Sequence, residues 1–324
     1  MRAVVFTGAG GNEVVRLEER PDPVPAGEEV VVRARFAALN PADLFQRAGA
    51  YPAPPGSPPD VPGLEVAGVV EACGERVTSW REGDRVFGIV GGGGLADRVL
   101  VHERCLARVP DRLEDRDAAA VPEAFVTAHD AVRSQAGLTP GETLLVHGAA
   151  GGVGSAAVQI GLVTGAHVLG VVRSDGAAEA VRELGGEPIE DEGFTARVAE
   201  ATDGRGADVV IELVGAPHFE GDLEALALRG RIVIVGTAAG HEATISLRML
   251  MQKRAVVRGK LLRPRPLEEK AAAVRAFERE ILPAFADGRV RPLVDSVFPA
   301  GGVTDALDRI AERGKVGKVL IEFS

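Results

Sequence analysis

Short runs of Val, Ile and Leu recur along the chain, and their spacing changes character near residue 142. Before that point the runs are brief and bounded by Gly or Asp. VVVRARF (30–36) alternates about a Val-rich face, and EVAGVVEACG (65–74) and DRVFGIV (84–90) predict further short strands. Between them YPAPPGSPPDVPG (51–63) carries six prolines in thirteen residues. Such a stretch has few backbone donors and restricted φ, so it predicts an extended loop. A loop of that length beside structured strands points to function.

From Glu142 continuous apolar runs alternate with helix-length segments. ETLLVHG (142–148), AHVLGVV (166–172), ADVVIELVG (207–215), GRIVIVG (230–236) and VVRGKLL (256–262) read as strands buried on both faces. Helices are predicted at 153–164, 177–184 and 220–228. This is the pattern of a parallel, doubly wound α/β sheet. Beyond it, 267–288 reads as one long helix that Pro283 breaks or kinks. The tail gives one more helix and a terminal strand expected to return to the first domain.

The stretch HGAAGGVG (147–154) follows the first of these buried strands and opens a helix. Glycines at spacing three, Gly148, Gly151 and Gly154, permit a tight turn, a bare approach to a pyrophosphate, and close helix–strand packing. The helix N-terminus adds oriented N–H groups and partial positive charge. The context predicts dinucleotide binding, and the missing Gly-Lys-Ser/Thr excludes a lysine-bearing P-loop. The next strand ends in Arg173-Ser174-Asp175. A guanidinium and a hydroxyl suit a ribose 2′-phosphate and so favour NADPH over NADH, while Asp175 leaves the acidic NAD-type reading open.

Composition narrows the partners. Lys and Arg number 37 against 47 Asp and Glu, a net charge of −10, which argues against nucleic acid or an anionic membrane. No apolar run approaches the roughly 18 residues of a membrane span. Cys73 and Cys105 are too few for a disulfide framework, so a reducing, cytoplasmic location is expected. Gly and Pro together make up 61 of 324 residues, about 19%, below the roughly 25–30% that signals disorder. The six histidines show no His-x3-His or Cys-x2-Cys spacing. No metal ligands are therefore assigned, and His147 reads as a strand-end residue.

These motifs resemble the medium-chain dehydrogenase/reductase superfamily over nearly the whole chain. GLEVAGVVEACGERV (63–77) follows its zinc-enzyme signature except that Leu64 stands where a zinc-binding His would be. Asn40, in LNPAD, stands where a zinc-binding Cys would be, and the short GGGGLADR (91–98) replaces a four-cysteine zinc lobe. Within the superfamily the chain resembles the zinc-independent quinone oxidoreductases, through ALNPADLFQRAGAYP (38–52), AAAVPEAFVTAHDAV (118–132) and VHGAAGGVG. With KLLRPRP…AFEREILPAF (260–285), these segments are close to the tumour-suppressor-induced subgroup. The resemblance implies a β-rich GroES-like catalytic domain over residues 1–123 and 287–324, a Rossmann dinucleotide-binding domain over 124–286, a cleft between them, and a homodimer. It also implies Asn40, Tyr51 and Thr127 near the nicotinamide and quinone. Gly151, Gly152, Val153 and Gly154 would lie on the pyrophosphate, with Val214 and Gly236 as further cofactor contacts. Phe45 replaces a Tyr of several relatives, and Gly176 and Ala177 replace their lysines.

The activity so implied is NADPH-dependent reduction of a quinone by hydride transfer. Such an enzyme must hold two flat rings in contact, exclude water and offer a donor to the developing oxyanion. Asn40 and Tyr51 are the expected catalytic side chains, each with a structural alternative: Asn40 as a helix cap, Tyr51 as anchor of the proline loop. Glu65 is either a buried partner of Arg47 or a polar residue at the domain junction, and Asp43 reads as a structural hydrogen-bonding group. Two rival functions use the same parts: an enone or alkenal double-bond reductase, and a dinucleotide-binding scaffold or sensor without useful turnover.

Overall fold

The valine-rich runs of the first third pair antiparallel, as alternating faces require. The computed structural model describes residues 1–323. The chain forms two compact units, Met1–Val126 with Leu262 onward, and Thr127–Leu261.

In the first unit five strands lie in the order Arg98–His102, Glu29–Arg33, Glu65–Cys73, Arg85–Ile89, Leu106–Arg108, all antiparallel. The run expected as one strand at 30–36 is split. Glu29–Arg33 stays in this sheet, and Phe36–Ala38 joins a second sheet with Lys318–Glu322 and Val294–Pro299. The terminal strand pairs antiparallel with Phe36–Ala38 and so returns to the first unit as expected. Val319 and Ile321 are buried there against Val4, Phe6 and Leu39, with Val303, Leu307 and Ile310 of the last helix. Each such side chain contributes about 1.5–3 kcal/mol by leaving water. The proline stretch 51–63 forms no helix or strand.

The predicted long helix is two helices, Leu267–Glu280 and Leu282–Ala286, with Pro283 in the first turn of the second. Proline has no N–H to continue the ladder and its ring crowds the preceding turn. Both helices pack in the first unit rather than the second: the Phe277 ring lies 6.2 Å from Phe87, and Phe285 lies 4.8 Å from Phe125. The chain therefore re-enters the first unit at Leu262, not near residue 287.

The second unit is the doubly wound sheet: β1 (Thr143–Val146), β2 (His167–Val172), β3 (Glu187–Glu190), β4 (Ala207–Glu212), β5 (Leu226–Ile234) and β6 (Val256–Gly259). Its order is 3-2-1-4-5-6, all parallel, the arrangement whose crevice binds dinucleotides. Strand β3, absent from the expectation, is short and only Ile189 of it is buried. The helix expected at 220–228 is Phe219–Ala225, because the chain turns extended at Leu226 to begin β5. Strand β5 lies between β4 and β6, so the edge strands of the sheet are β3 and β6. Among the described residues no helix is long and apolar enough to cross a membrane.

Candidate active site

In the first unit the site grows from the end of the strand Phe36–Ala38. Asn40, 5% exposed, ends this strand and opens the helix Pro41–Arg47, with Pro41 at the position where a missing N–H costs nothing. Asp43 completes the turn. Its carboxylate accepts from the N–H groups of Asn40 (2.7 Å) and Gly63 (3.1 Å), tying the helix start to the end of the proline loop. Burial pushes the Asp43 carboxyl up to about 6, against the pull of those N–H groups and of Lys318. Asp43 is thus the structural group expected.

Asn40 forms a capping box with Asp43, as the cap reading expects, and its side chain also reaches outward. Its Nδ2 donates to Glu65 Oε1 (2.8 Å) and its Oδ1 accepts from Lys318 Nζ (2.5 Å). Lys318 also donates to Glu65 Oε1 (2.7 Å), and Glu65 accepts the Glu123 N–H at 2.8 Å. An ammonium on one side and a carboxylate on the other fix which end of the amide is oxygen. One Nδ2 hydrogen is left over. Arg47 is not the partner of Glu65; it bonds Asn12 instead, because its side chain leaves the far end of the helix. Lys318 was invisible to a motif search, since it lies 278 residues from Asn40 and only strand pairing brings it there. Leu64, beside Glu65, is buried hydrocarbon.

Tyr51 opens the proline loop and is half-buried, which raises its phenol pKa; the nearby Arg263 acts in the opposite sense. Asn40 and Tyr51 share no direct contact. They are linked through the helix, where Gln46 donates to the Pro59 carbonyl and accepts from Arg263.

In the second unit Gly148 follows β1 with φ +60°, and the helix Gly152–Thr164 begins after Gly151. A Cβ at Gly154 would stand 2.1 Å from the Gly148 carbonyl oxygen, so only glycine closes this turn. Ser155 is the first residue to bond back, to the Gly151 carbonyl at 2.8 Å. The N–H groups of Gly152, Val153 and Gly154 precede it at the helix start, with no acidic side chain in the first turn. This is a cradle fit for a pyrophosphate. Val214 lies beside it, 3.8 Å from a Cβ built on Gly148, and Gly236 packs on the Leu213 carbonyl. The Ala149 N–H bonds the Val171 carbonyl, which sets the end of β2 next to the turn. Arg173 and Ser174 follow that strand and are exposed; the Ser174 hydroxyl caps the helix Asp175–Glu183 by accepting from the Ala177 N–H. Thr127 is buried on the helix Pro122–His129 in the same unit.

Beneath the turn lies a group that sequence spacing did not reveal. His147, Glu212, His218 and Asp222 converge from two strand ends and the helix region after β4. His147 Nε2 lies 2.6 Å from Asp222 Oδ1, His218 Nδ1 lies 3.4 Å from Glu212 Oε2, and His218 Nε2 lies 2.8 Å from Asp191. Glu212 also accepts the N–H groups of Val214 and Gly215 and so shapes the loop after β4. Ligand atoms of His147, Glu212 and His218 fall within 4.8 Å of one another. The two imidazoles, however, are stacked 4.3 Å apart and 18° from parallel. Their ring planes run side by side, with His147 Nε2 turned to Asp222 and His218 Nε2 to Asp191. The hydrogen bond to Glu212 holds the His218 pKa above its ordinary value, and burial pushes Asp222 up.

Comparison with known proteins places these features in context. A family model described as alcohol dehydrogenase GroES-like domain matches residues 26–111, and one described as zinc-binding dehydrogenase matches 152–279. The quinone oxidoreductase of Lama guanicoe is 32% identical over 99% of this chain and 97% of its own length. Among solved structures, the quinone oxidoreductase of Pseudomonas syringae pv. Tomato DC3000 superposes with TM-score 0.88 at 30% identity, covering 99% of both chains. The mycobacterial protein Rv1454c complexed with NADPH gives 0.89 at 27% identity, covering all of both chains. The CurK enoyl reductase gives 0.87 at 25%, covering 100% of this chain and 99% of the other.

Proposed function

The chain belongs to the quinone oxidoreductase family of the medium-chain dehydrogenase/reductase superfamily and is an oxidoreductase, and from that premise we propose that it reduces quinones with NADPH and without zinc. The observation that carries this reading is the Asn40 site. The position that offers a thiolate in zinc enzymes holds an amide whose oxygen already accepts from the Lys318 ammonium, and Leu64 offers no ligand atom. The Lys318 ammonium, 2.5 Å from that amide oxygen and 2.7 Å from the Glu65 carboxylate, occupies the place a second cation would take. The same charge suits a site where negative charge develops on a substrate oxygen.

When bound, the dinucleotide supplies a hydride from the nicotinamide ring. The chain does the rest. Gly148–Gly154 and the following helix start hold the pyrophosphate, Arg173 and Ser174 receive the 2′-phosphate, and Thr127, Val214 and Gly236 border the cofactor. The spare Nδ2 hydrogen of Asn40 and the Tyr51 hydroxyl orient the acceptor ring and donate to its oxygen. No general acid is needed, because a hydroquinone anion leaves as a stabilised species and takes its proton from water.

An enone reductase is the second reading, favoured by the likeness to an enoyl reductase. Anaerobic NADPH oxidation against a panel of quinones and enones, with product analysis and a chelator arm, separates the two. Turnover of enones alone assigns the protein to double-bond reduction, and turnover of neither assigns it to cofactor binding without catalysis. A chelator-sensitive rate removes the zinc-free mechanism. We further propose a homodimer through the open edge of β6, where Val256 is exposed beside Leu247 and Met251. Light scattering showing a monomer at micromolar concentration overturns that.

A further inference from the structure

Arg263 is 5% exposed, and the carboxylates that act on it, Asp43 and Glu123, do so without a hydrogen bond. Its acceptors are all neutral. Nε donates to the Gly91 carbonyl (2.7 Å), Nη1 to the Tyr51 carbonyl (3.2 Å) and Nη2 to Gln46 Oε1 (2.6 Å). These three groups belong to the glycine-rich segment 91–94, the start of the proline loop, and the helix that Asn40 opens. The guanidinium lies over the Tyr51 ring, 5.0 Å from its centre. Burying a cation on uncharged acceptors is costly, and packing alone is served as well by an uncharged side chain. A buried charge held on neutral hydrogen-bond acceptors against one aromatic ring points to work done on that ring.

We propose that Arg263 is a positioning residue of the candidate active site: it locks the Tyr51 loop against the helix and holds a positive charge on the Tyr51 ring, which makes the hydroxyl a stronger donor to the substrate oxygen that gains charge. The proposal rests on the reading of Tyr51 as that donor. The charge acts in a partly desolvated setting, where a cation stabilises the phenolate side of the hydroxyl more than it does in water. Burial and the Glu123 carboxylate drive the Tyr51 phenol up, and Arg263 is the group that counters them.

The experiment is direct because Tyr51 is the only tyrosine in the chain, so phenolate absorbance reports this one hydroxyl. In R263M the phenol midpoint should rise by about one pH unit, as a lost charge some 6 Å away at an intermediate dielectric requires. In R263K, which keeps the charge, it should stay within about 0.3 of the parent. The kcat for quinone should fall about tenfold or more in R263M while KM for NADPH is unchanged, and R263K should recover part of it. In a Y51F background R263M should cost little further kcat. An unmoved phenol midpoint in R263M, or an equal loss of kcat with and without the Tyr51 hydroxyl, overturns the proposal. If R263M does not fold, R263K decides: a midpoint that rises by about one pH unit although the charge is kept shows that charge is not what acts on Tyr51. The titration needs no substrate. A shifted phenol in a protein that turns over no quinone therefore refutes the proposed function and leaves the Arg263–Tyr51 coupling standing.

Discussion

Lys318→Met tests whether the Asn40 site is held by charge. The substitution removes an ammonium 2.7 Å from Glu65 Oε1 and 2.5 Å from Asn40 Oδ1 while keeping a similar stem. Both members of the ion pair are nearly closed to water, with side-chain exposures of 5% and 1%. Breaking such a pair by removing one partner costs about 3–5 kcal/mol, because the remaining charge is buried and uncompensated. With a urea dependence of about 2–3 kcal/mol per molar, the midpoint should fall by roughly 1–2 M. The reporter is Trp80, the only tryptophan, which sits in the first unit and donates to the Glu103 carbonyl at 2.9 Å. The double variant K318M/E65Q should recover more than half the loss, since a neutral amide still accepts the Glu123 N–H. A single-variant cost below about 1 kcal/mol, or a double variant no better than the single, refutes the account of Glu65 as a charge sustained by Lys318.

Arg173→Ala should raise KM for NADPH about ten- to hundredfold and leave KM for NADH unchanged, since a charge-assisted contact contributes about 1.5–3 kcal/mol. Equal effects on both cofactors would return the ribose to Asp175. Gly154→Ala should abolish cofactor binding in fluorescence titration and lower stability by a few kcal/mol, because the new methyl meets the Gly148 carbonyl oxygen at 2.1 Å. Normal binding would place the phosphates elsewhere. The raised pKa of His218 means that folding favours its protonated form. That stability is fully present below the ordinary imidazole range and disappears as pH rises through the folded value, so thermal melts of H218N should lack a decline seen in the parent above about pH 6.5.

The two kinds of site residue differed in how far the sequence revealed them. Backbone chemistry was legible: Gly148, Gly151 and Gly154 follow a buried strand at fixed spacing, and the structure forms the turn that spacing requires. Asn40 was legible as a position, but its partners were not. Lys318 and Glu65 reach it through strand pairing across most of the chain, and nothing local to Asn40 encodes a contact 278 residues away. Of the two alternatives for Glu65, the pairing with Arg47 fails for the same reason: nothing local to either residue encodes that Glu65 meets Lys318 and Arg47 meets Asn12. Arg263 was likewise hidden, since its acceptors are two backbone carbonyls and one amide, groups that carry no sequence signature. The re-entry near residue 287 that the resemblance implied lies instead at Leu262. Phe277 and Phe285 decide the matter by where they pack.

The two units hold their functional groups by opposite means, and this has a consequence for selectivity. In the first unit the site depends on buried charge: Lys318 with Glu65 and Asn40, Arg263 with neutral acceptors. Ions in the solvent barely screen such contacts, so the geometry around Asn40 and Tyr51 is insensitive to salt. In the second unit the pyrophosphate cradle is made of backbone N–H groups and a helix start, which bind either dinucleotide alike. In the proposed reaction they are distinguished by Ser174 and chiefly by the Arg173 charge, which is exposed. Its attraction for a 2′-phosphate acts through water and fades as the Debye length contracts from about 10 Å at 0.1 M to 3 Å at 1 M. Preference for NADPH is thus the one property of the proposed reaction that rests on a screened charge. Added salt should erode it while turnover of bound complex, set by the buried groups, holds.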